Sequence, residues 1–188
     1  TTACDPMSPR VVIAGLGDSG LLTAIRLART EIEVVGISTK PALVSGQELG
    51  VRLARPADWA RDYWIPFERF RGLDRVRIVQ AELTGLDTDA RTVLVRAADG
   101  SAGTEHYDAL VISTGVTNGF WRQPNLQSAN EIGADLQGAH DRLAAAPSIA
   151  VIGGGAAAVS SAANLAAAWP GKRIDLYFPG ERALPGHH

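Results

Sequence analysis

Cysteine is almost missing from this sequence. Cys4 is the only one, so no intrachain disulfide can form, which fits a reducing compartment such as the cytoplasm. Long hydrophobic runs are missing too: none approaches the ~18 consecutive apolar residues that a membrane-spanning helix needs, so no transmembrane segment is expected. Neither sign of charge prevails. Eighteen basic residues against 20 acidic ones leave a net charge of −2, and no basic cluster offsets that balance. A nucleic-acid partner is therefore not expected. The four histidines, His106, His140, His187 and His188, include no pair spaced to put two ligands on one helix face, so no metal site is expected. Structural roles are expected for His106 in a strand region and for His140 on a solvated helix face. No G-x-S-x-G and no Cys/His arrangement points to covalent hydrolysis. Methionine occurs once, at Met7, which marks a candidate native start. Residues 1–9 lack the apolar core of a secretory signal and read as a loose tail.

What is present is glycine in a particular pattern. In residues 10–28, RVVIAGLGDSGLLTAIRLA, an apolar run stops at Gly15, and Gly15, Gly17 and Gly20 complete a G-x-G-x-x-G before a helical pattern begins. In a strand-turn-helix nucleotide site the first glycine permits the tight turn. The second lets backbone approach a pyrophosphate, and the third lets the helix pack closely on the strand. The helix amino terminus then presents N–H groups and a positive dipole end to the phosphates. A second copy follows 138 residues later: in SIAVIGGGAAAVSSAANLA, residues 148–166, Gly153, Gly155 and Ala158 repeat the pattern as G-x-G-x-x-A. Two copies in equivalent contexts are hard to explain as ordinary turns.

Between the copies, residues 32–37 read as the second parallel strand. An acid near its end usually binds ribose hydroxyls, but Ser38, Thr39 and Lys40 stand there instead. Asp18, in the first helical turn, must face solvent if a pyrophosphate lies nearby. Residues 41–56 read as a loop with a helical piece at 47–54. In residues 58–70, Trp59, Tyr63, Trp64, Phe67 and Phe70 recur at helix-like spacing around Pro66, which should break or kink the helix. They suggest a core-facing helix or, alternatively, an aromatic wall beside a flat cofactor ring. Residues 76–79 are a short strand; 83–87, 92–96 and 104–107 form an antiparallel meander, with turn-rich separators. Residues 109–112 return to buried-strand character and end in Ser113-Thr114-Gly115. Residues 116–130 read as a linker, 131–145 as a helix, and 173–178 as the second strand of the later unit. The alanine-rich tract at 139–168 suits close helix-on-sheet packing.

The two glycine motifs, GLDTDARTVLV (residues 85–95) and YDALVISTG (residues 107–115) occur in an order that resembles flavoproteins with two dinucleotide-binding domains, the pyridine nucleotide-disulfide oxidoreductase superfamily. The resemblance covers nearly all of residues 10–185. It implies an α/β fold: a Rossmann-like FAD-binding domain with a β-meander (10–116), a linker and helix (117–147), and the start of a Rossmann-like NAD(P)-binding domain (148–188). It also implies that Gly15, Gly17 and Gly20 lie against the FAD pyrophosphate. Ser38 or Thr39 would face the ribose, with Lys40 a candidate cation nearby. Backbone at Gln80 and Ala81 would meet the adenine, and Thr114 and Gly115 would close over the FAD. Gly153, Gly155 and Ala158 would take the pyrophosphate of NADH or NADPH.

Disulfide-using members carry paired cysteines early in the FAD domain. Their lack here points to the branch containing type II NADH dehydrogenases, apoptosis-inducing-factor-like enzymes and ferredoxin reductases. Many members carry a glutamate two residues beyond the second motif, where this sequence has Ser160. The expected activity is hydride transfer from NAD(P)H to flavin N5, then electron delivery to a quinone, a redox protein or oxygen, with no catalytic side chain assigned. A non-catalytic redox sensor is the alternative. The later unit's second strand ends at Phe178-Pro179-Gly180 with no acid at the ribose position, and Arg182 nearby permits NADPH, although Glu181 sits beside it. That unit stops early, so an amino-terminal half of an enzyme, inactive alone, is expected; a small protein that pairs with a second copy is the competing expectation.

Overall fold

The computed structural model of the protein describes residues 8–44, 49–115 and 125–184. The tail expected at 1–9 falls mostly outside them, as do most of the expected linker and His187 and His188. The chain divides into two compact units, Thr1–Val44 with Ile65–Ala129, and Ser45–Trp64 with Asn130–His188.

The first unit is built on a parallel sheet in the order β5-β2-β1-β9. Strand β1 (Arg10–Ala14) is central, and its apolar run follows from that position: Val12 and Ile13 are fully buried because both sheet faces are covered. Helix α1 (Asp18–Leu27) leads to β2 (Glu33–Ser38) and buries Gly20, Leu21 and Ala24, spaced as one helix face requires. Alternation along the strands splits the core in two. Val11, Ile13 and Val34 pack with Leu16, Leu21, Ala24, Phe67 and Leu73 on one face. Val12, Val35 and Ile37 pack with Ala81, Val93 and Val95 on the other.

Strands β3 (Ala42–Val44) and β4 (Trp64–Pro66) form a two-stranded ribbon, and β5 (Val76–Gln80) completes the sheet edge beside β2. The expected meander is present as β6 (Glu82–Asp87), β7 (Thr92–Arg96) and β8 (Ala102–His106), antiparallel throughout, and His106 ends its last strand. Val93 and Val95 of β7 carry it onto the parallel sheet. Strand β9 (Ala109–Ile112) then pairs with β1.

The amino ends of β1, β2 and β5 are joined by charge to the carboxyl end of β8. Glu105 of β8 accepts from Arg10 Nη2 at 2.8 Å and from Arg77 Nη2, while Arg10 Nε lies 3.2 Å from Glu33 Oε1. Four elements, β1, β2, β5 and β8, thus meet at one carboxylate cluster. The bond to Glu105 holds the Arg77 guanidinium above its ordinary value.

The second unit contains α2 (Leu49–Ala54), α3 (Pro56–Asp62), α4 (Ala129–Ala145), β10 (Ser148–Ile152), α5 (Ala156–Ala168) and β11 (Arg173–Tyr177). Strands β10 and β11 pair in parallel. Leu53, Ala54, Ala139, Ile149 and Leu165 form its core. The alanine-rich α5 packs on another helix as well as on strands: a Cβ at Gly50 of α2 would lie 2.8 Å from the Ser160 carbonyl oxygen. Lys172 donates to the Leu143 and Ala144 carbonyls at the end of α4 and sits 4.8 Å from the centre of the Trp169 ring.

Three expectations change here. The break expected at Pro66 in residues 58–70 comes earlier and is complete: α3 starts with Pro56 at its first turn and ends at Asp62, β4 follows, and Phe67–Arg69 and Arg71–Leu73 are single 3₁₀ turns. Proline at position 66 supplies no N–H and disfavours helix in the residue before it. Residues 41–56 contain β3 as well as the short helix. His140 is not on a solvated face, because its ring lies 5.2 Å from that of Trp169 and its Nδ1 is 2.8 Å from the Leu53 carbonyl oxygen.

Candidate functional site: two glycine turns

The carboxyl ends of β1, β2, β5 and β9 lie side by side, and ten of the singled-out residues follow directly from them. Gly15, Gly17 and Gly20 follow β1; Ser38, Thr39 and Lys40 end or follow β2; Gln80 and Ala81 end or follow β5; Thr114 and Gly115 follow β9. Ligands of open parallel sheets bind at this edge.

The turn after β1 is held from three sides. Gly15 has φ +98° and donates its N–H to the Ile37 carbonyl at 2.8 Å. A Cβ there would lie 2.4 Å from the Ser113 carbonyl oxygen. The Ser113 hydroxyl, in turn, donates toward the carbonyls of Gly15 at 2.7 Å and Ala14 at 3.2 Å. At Gly20 a Cβ would stand 1.9 Å from the Gly15 carbonyl oxygen, so α1 approaches the turn closer than any side chain allows.

Gly17 is different. Its backbone (φ −74°, ψ −167°) suits any residue, and a Cβ there would meet nothing within 4 Å. Among the described residues, nothing requires glycine at this point. It is the N-cap of α1 and makes no side-chain cap, so its side chain satisfies none of the first N–H groups of the helix. Asp18 beside it is exposed, as expected of a carboxylate kept away from a phosphate.

The second motif repeats this construction in the other unit. Gly153 (φ +136°) donates to the Tyr177 carbonyl at 2.8 Å, as Gly15 does to Ile37. Gly155 is the N-cap of α5, with φ −85°, ψ 177°, no side-chain cap and nothing within 4 Å of a Cβ. Gly133 and Gly171 also face open space, but neither starts a helix. The third position tolerates a methyl group here: the Ala158 Cβ would be 3.2 Å from a Cβ on Gly153. Ser160, at the position of the family's glutamate, has its hydroxyl 3.4 Å from Asn164 Nδ2.

Both turns fit a dinucleotide: room at the middle glycine among the described residues, beside a helix start that its N-cap side chain leaves uncapped, is what a pyrophosphate needs. Among the described residues, no group of three or more His, Cys, Asp or Glu is placed to hold a metal, and no helix is long and apolar enough to cross a membrane.

Ser113 was missed by reasoning from sequence, although it belongs to the Ser-Thr-Gly that was singled out. Ser113→Ala should cost about 1 kcal/mol of stability, the net worth of one hydrogen bond. Thermal unfolding checks this; an unchanged melting temperature would mean that the hydroxyl does not secure the turn.

Solved structures share the fold. NDH2 from Plasmodium falciparum, in complex with RYL-552, superposes with a TM-score of 0.72 at 16% identity over 96% of this chain and 43% of that one. The water-forming NADH oxidase from Lactobacillus brevis, bound to NADH, gives 0.66 at 21% identity over 95% and 41%. Reduced CoADR-RHD from Bacillus anthracis gives 0.68 at 18% identity over 95% and 34%. The chain thus spans well under half the length of these three proteins. No curated protein matches. The sequence pattern described as "Pyridine nucleotide-disulphide oxidoreductase" matches residues 9–187, and the chain belongs to that family of FAD-containing, NAD(P)H-using oxidoreductases.

Proposed function

We propose that this chain supplies the FAD site and part of the NAD(P)H site of an oxidoreductase that takes hydride from NAD(P)H and passes electrons to a separate acceptor. One observation carries the reading: Gly17 and Gly155 are each glycine without internal cause, at the uncapped start of a helix after a parallel strand. FAD, when bound, supplies the chemistry by accepting hydride and releasing electrons singly or in pairs. The chain's own contribution is placement. The N–H groups after Gly17 hold one pyrophosphate, and those after Gly155 hold the other. Ser38, Thr39 and Lys40 meet the ribose of the first nucleotide, Gln80 and Ala81 its adenine, and Thr114 and Gly115 close the site beside β9. A quinone, a redox protein or oxygen is the acceptor. Arg182, exposed and close after β11, suits a ribose 2′-phosphate and favours NADPH as donor.

Purified protein should show flavin absorbance, and NADPH should be oxidised with an added quinone or dye by a protein in which this chain is joined to the rest of the NAD(P)H site. Arg182→Ala should raise KM for NADPH and leave NADH unaffected. Absence of flavin after reconstitution would overturn the first-site reading. Bound flavin without turnover would favour a redox sensor, in which nucleotide occupancy is itself the signal.

A further inference from the structure

The two glycine turns differ at the residue between their first and second glycines. In the first turn it is Leu16, which is 3% exposed and packs on Gly36, where a Cβ would lie 2.8 Å from both Leu16 methyl carbons. In the second turn the same place is held by Gly154, which has no side chain to anchor. The bulk stands on the strand side instead: a Cβ at Gly154 would lie 3.0 Å from the Cβ of Phe178, the residue after β11. Three consecutive glycines, 153–155, therefore make up this turn. A flip of the peptide between Gly154 and Gly155 changes only the ψ of one glycine and the φ of the next. The sterics of neither residue oppose it.

A hydrogen bond does oppose it. After β11 the chain returns to the turn, and the Leu184 N–H donates to the Gly154 carbonyl at 2.7 Å. Leu184 takes φ +52° there, in the left-handed region that residues other than glycine seldom adopt. The returning segment is thus held in a costly shape at the point where it meets the turn. The C=O and N–H of a trans peptide point in opposite directions, and no described peptide bond is cis. Fixing the Gly154 carbonyl on the side of Leu184 therefore fixes the Gly155 N–H on the other.

We propose that Leu184 is a positioning residue for the second nucleotide: its N–H holds the Gly154 carbonyl on its own side and keeps the Gly155 N–H available to the pyrophosphate. This rests on the second turn binding NAD(P)H. A flipped peptide would present a carbonyl oxygen to the phosphates instead, an acceptor facing an anion. Leu184 acts only through the peptide that it clamps. The first turn has its anchor in the core, through Leu16.

The experiment uses FAD-loaded protein in which this chain is joined to the rest of the NAD(P)H site, with ADP-ribose as the probe, a pyrophosphate that takes no part in redox chemistry. Amide exchange is read at Leu184. At ten times its dissociation constant, ADP-ribose should slow exchange of that N–H about tenfold, because ligand and clamp favour the same orientation of the peptide. Exchange that bound ADP-ribose leaves unchanged would overturn the clamp. Leu184→Pro removes the N–H and should weaken ADP-ribose binding about tenfold, the worth of one hydrogen bond, with flavin content unchanged. Leu184→Gly keeps the N–H, suits the left-handed backbone and should bind as wild type does. Full affinity in the proline variant, or an equal loss in the glycine variant, would overturn the proposal too. Should the proline variant not fold, exchange in wild type and affinity in the glycine variant decide it. If wild type does not bind ADP-ribose at all, the NAD(P)H reading itself fails, and this is a different result from any of these.

Discussion

Gly17→Val should give a folded protein that has lost its flavin, whereas Gly20→Ala should damage the fold itself. The two glycines are three residues apart in one motif, and the structure separates their tasks. At position 17 the backbone is extended and a Cβ meets nothing within 4 Å, so valine finds both conformation and room. The side chain would occupy the slot in front of the helix-start N–H groups. Losing two charged hydrogen bonds there costs about 3 kcal/mol or more, upwards of a hundredfold in affinity. At position 20 the added methyl would lie 1.9 Å from the Gly15 carbonyl oxygen. That oxygen cannot retreat, because Gly15 is bonded to Ile37 and Ser113. Overpacking against fixed backbone costs about 1–3 kcal/mol, and here should lie at the upper end. Far-ultraviolet circular dichroism, thermal unfolding and flavin content, measured on both variants, check the contrast. A Gly17→Val protein with full flavin would remove the basis for placing a pyrophosphate there, and a Gly20→Ala protein with normal stability would contradict the packing.

The second large effect is expected at the opposite end of the sheet. Glu105→Gln should lower stability by about 2 kcal/mol, or about 4–8 °C in melting temperature for a chain of this size. Glu105 is 13% exposed in its side chain and accepts from two guanidiniums, Arg10 and Arg77. Removing the charge leaves both cations facing each other across a half-buried site. Full burial would make the loss larger, but Arg10 and Arg77 keep 27% and 47% of their side-chain exposure, and water softens the change. Because the Arg77 guanidinium is raised, its share of the stability persists below the unfolded guanidinium's value and is lost only at the alkaline extreme. Thermal melts at neutral pH in low and high salt test the prediction. An unchanged melting temperature would mean that solvent replaces Glu105 without cost.

The glycine turns were legible in the sequence because their spacing, after an apolar run and before a helical pattern, is a local signal, even though Gly15 also answers to the remote Ser113. The α/β alternation and the meander were legible for a similar reason, through apolar runs and turn-forming separators. What escaped reading was contact at long range. Ser113 meets Gly15 across 98 residues, and a serine ending a strand carries no signal of its own. Gln127 and Lys40, whose ammonium donates to Gln127 Oε1, are similarly remote. His140 could have been placed better: Ile132, Leu136 and His140 form one i, i+4 row on α4, which turns the imidazole toward the side that holds Trp169. At residues 58–70 the break at Pro66 was legible, but helix-like spacing of the aromatics hid that the helix ends already at Asp62. Trp59 and Phe67 are buried and Tyr63 is exposed, so the residues answer to separate short elements.

The place of β1 at the middle of its sheet bears on how the protein is made. Its partner on one side, β2, follows within a few turns of chain, but its partner on the other, β9, pairs Ala109 with Val11. At ribosomal rates of about 5–20 residues per second, roughly 5–20 s separate the synthesis of these two strands. Throughout that interval Val12 and Ile13, fully buried in the finished protein, sit in a strand with one open hydrogen-bonding edge. The nascent chain is therefore most open to wrong pairing before residue 112 emerges, and chaperones that shield apolar strands should raise its yield most in that window.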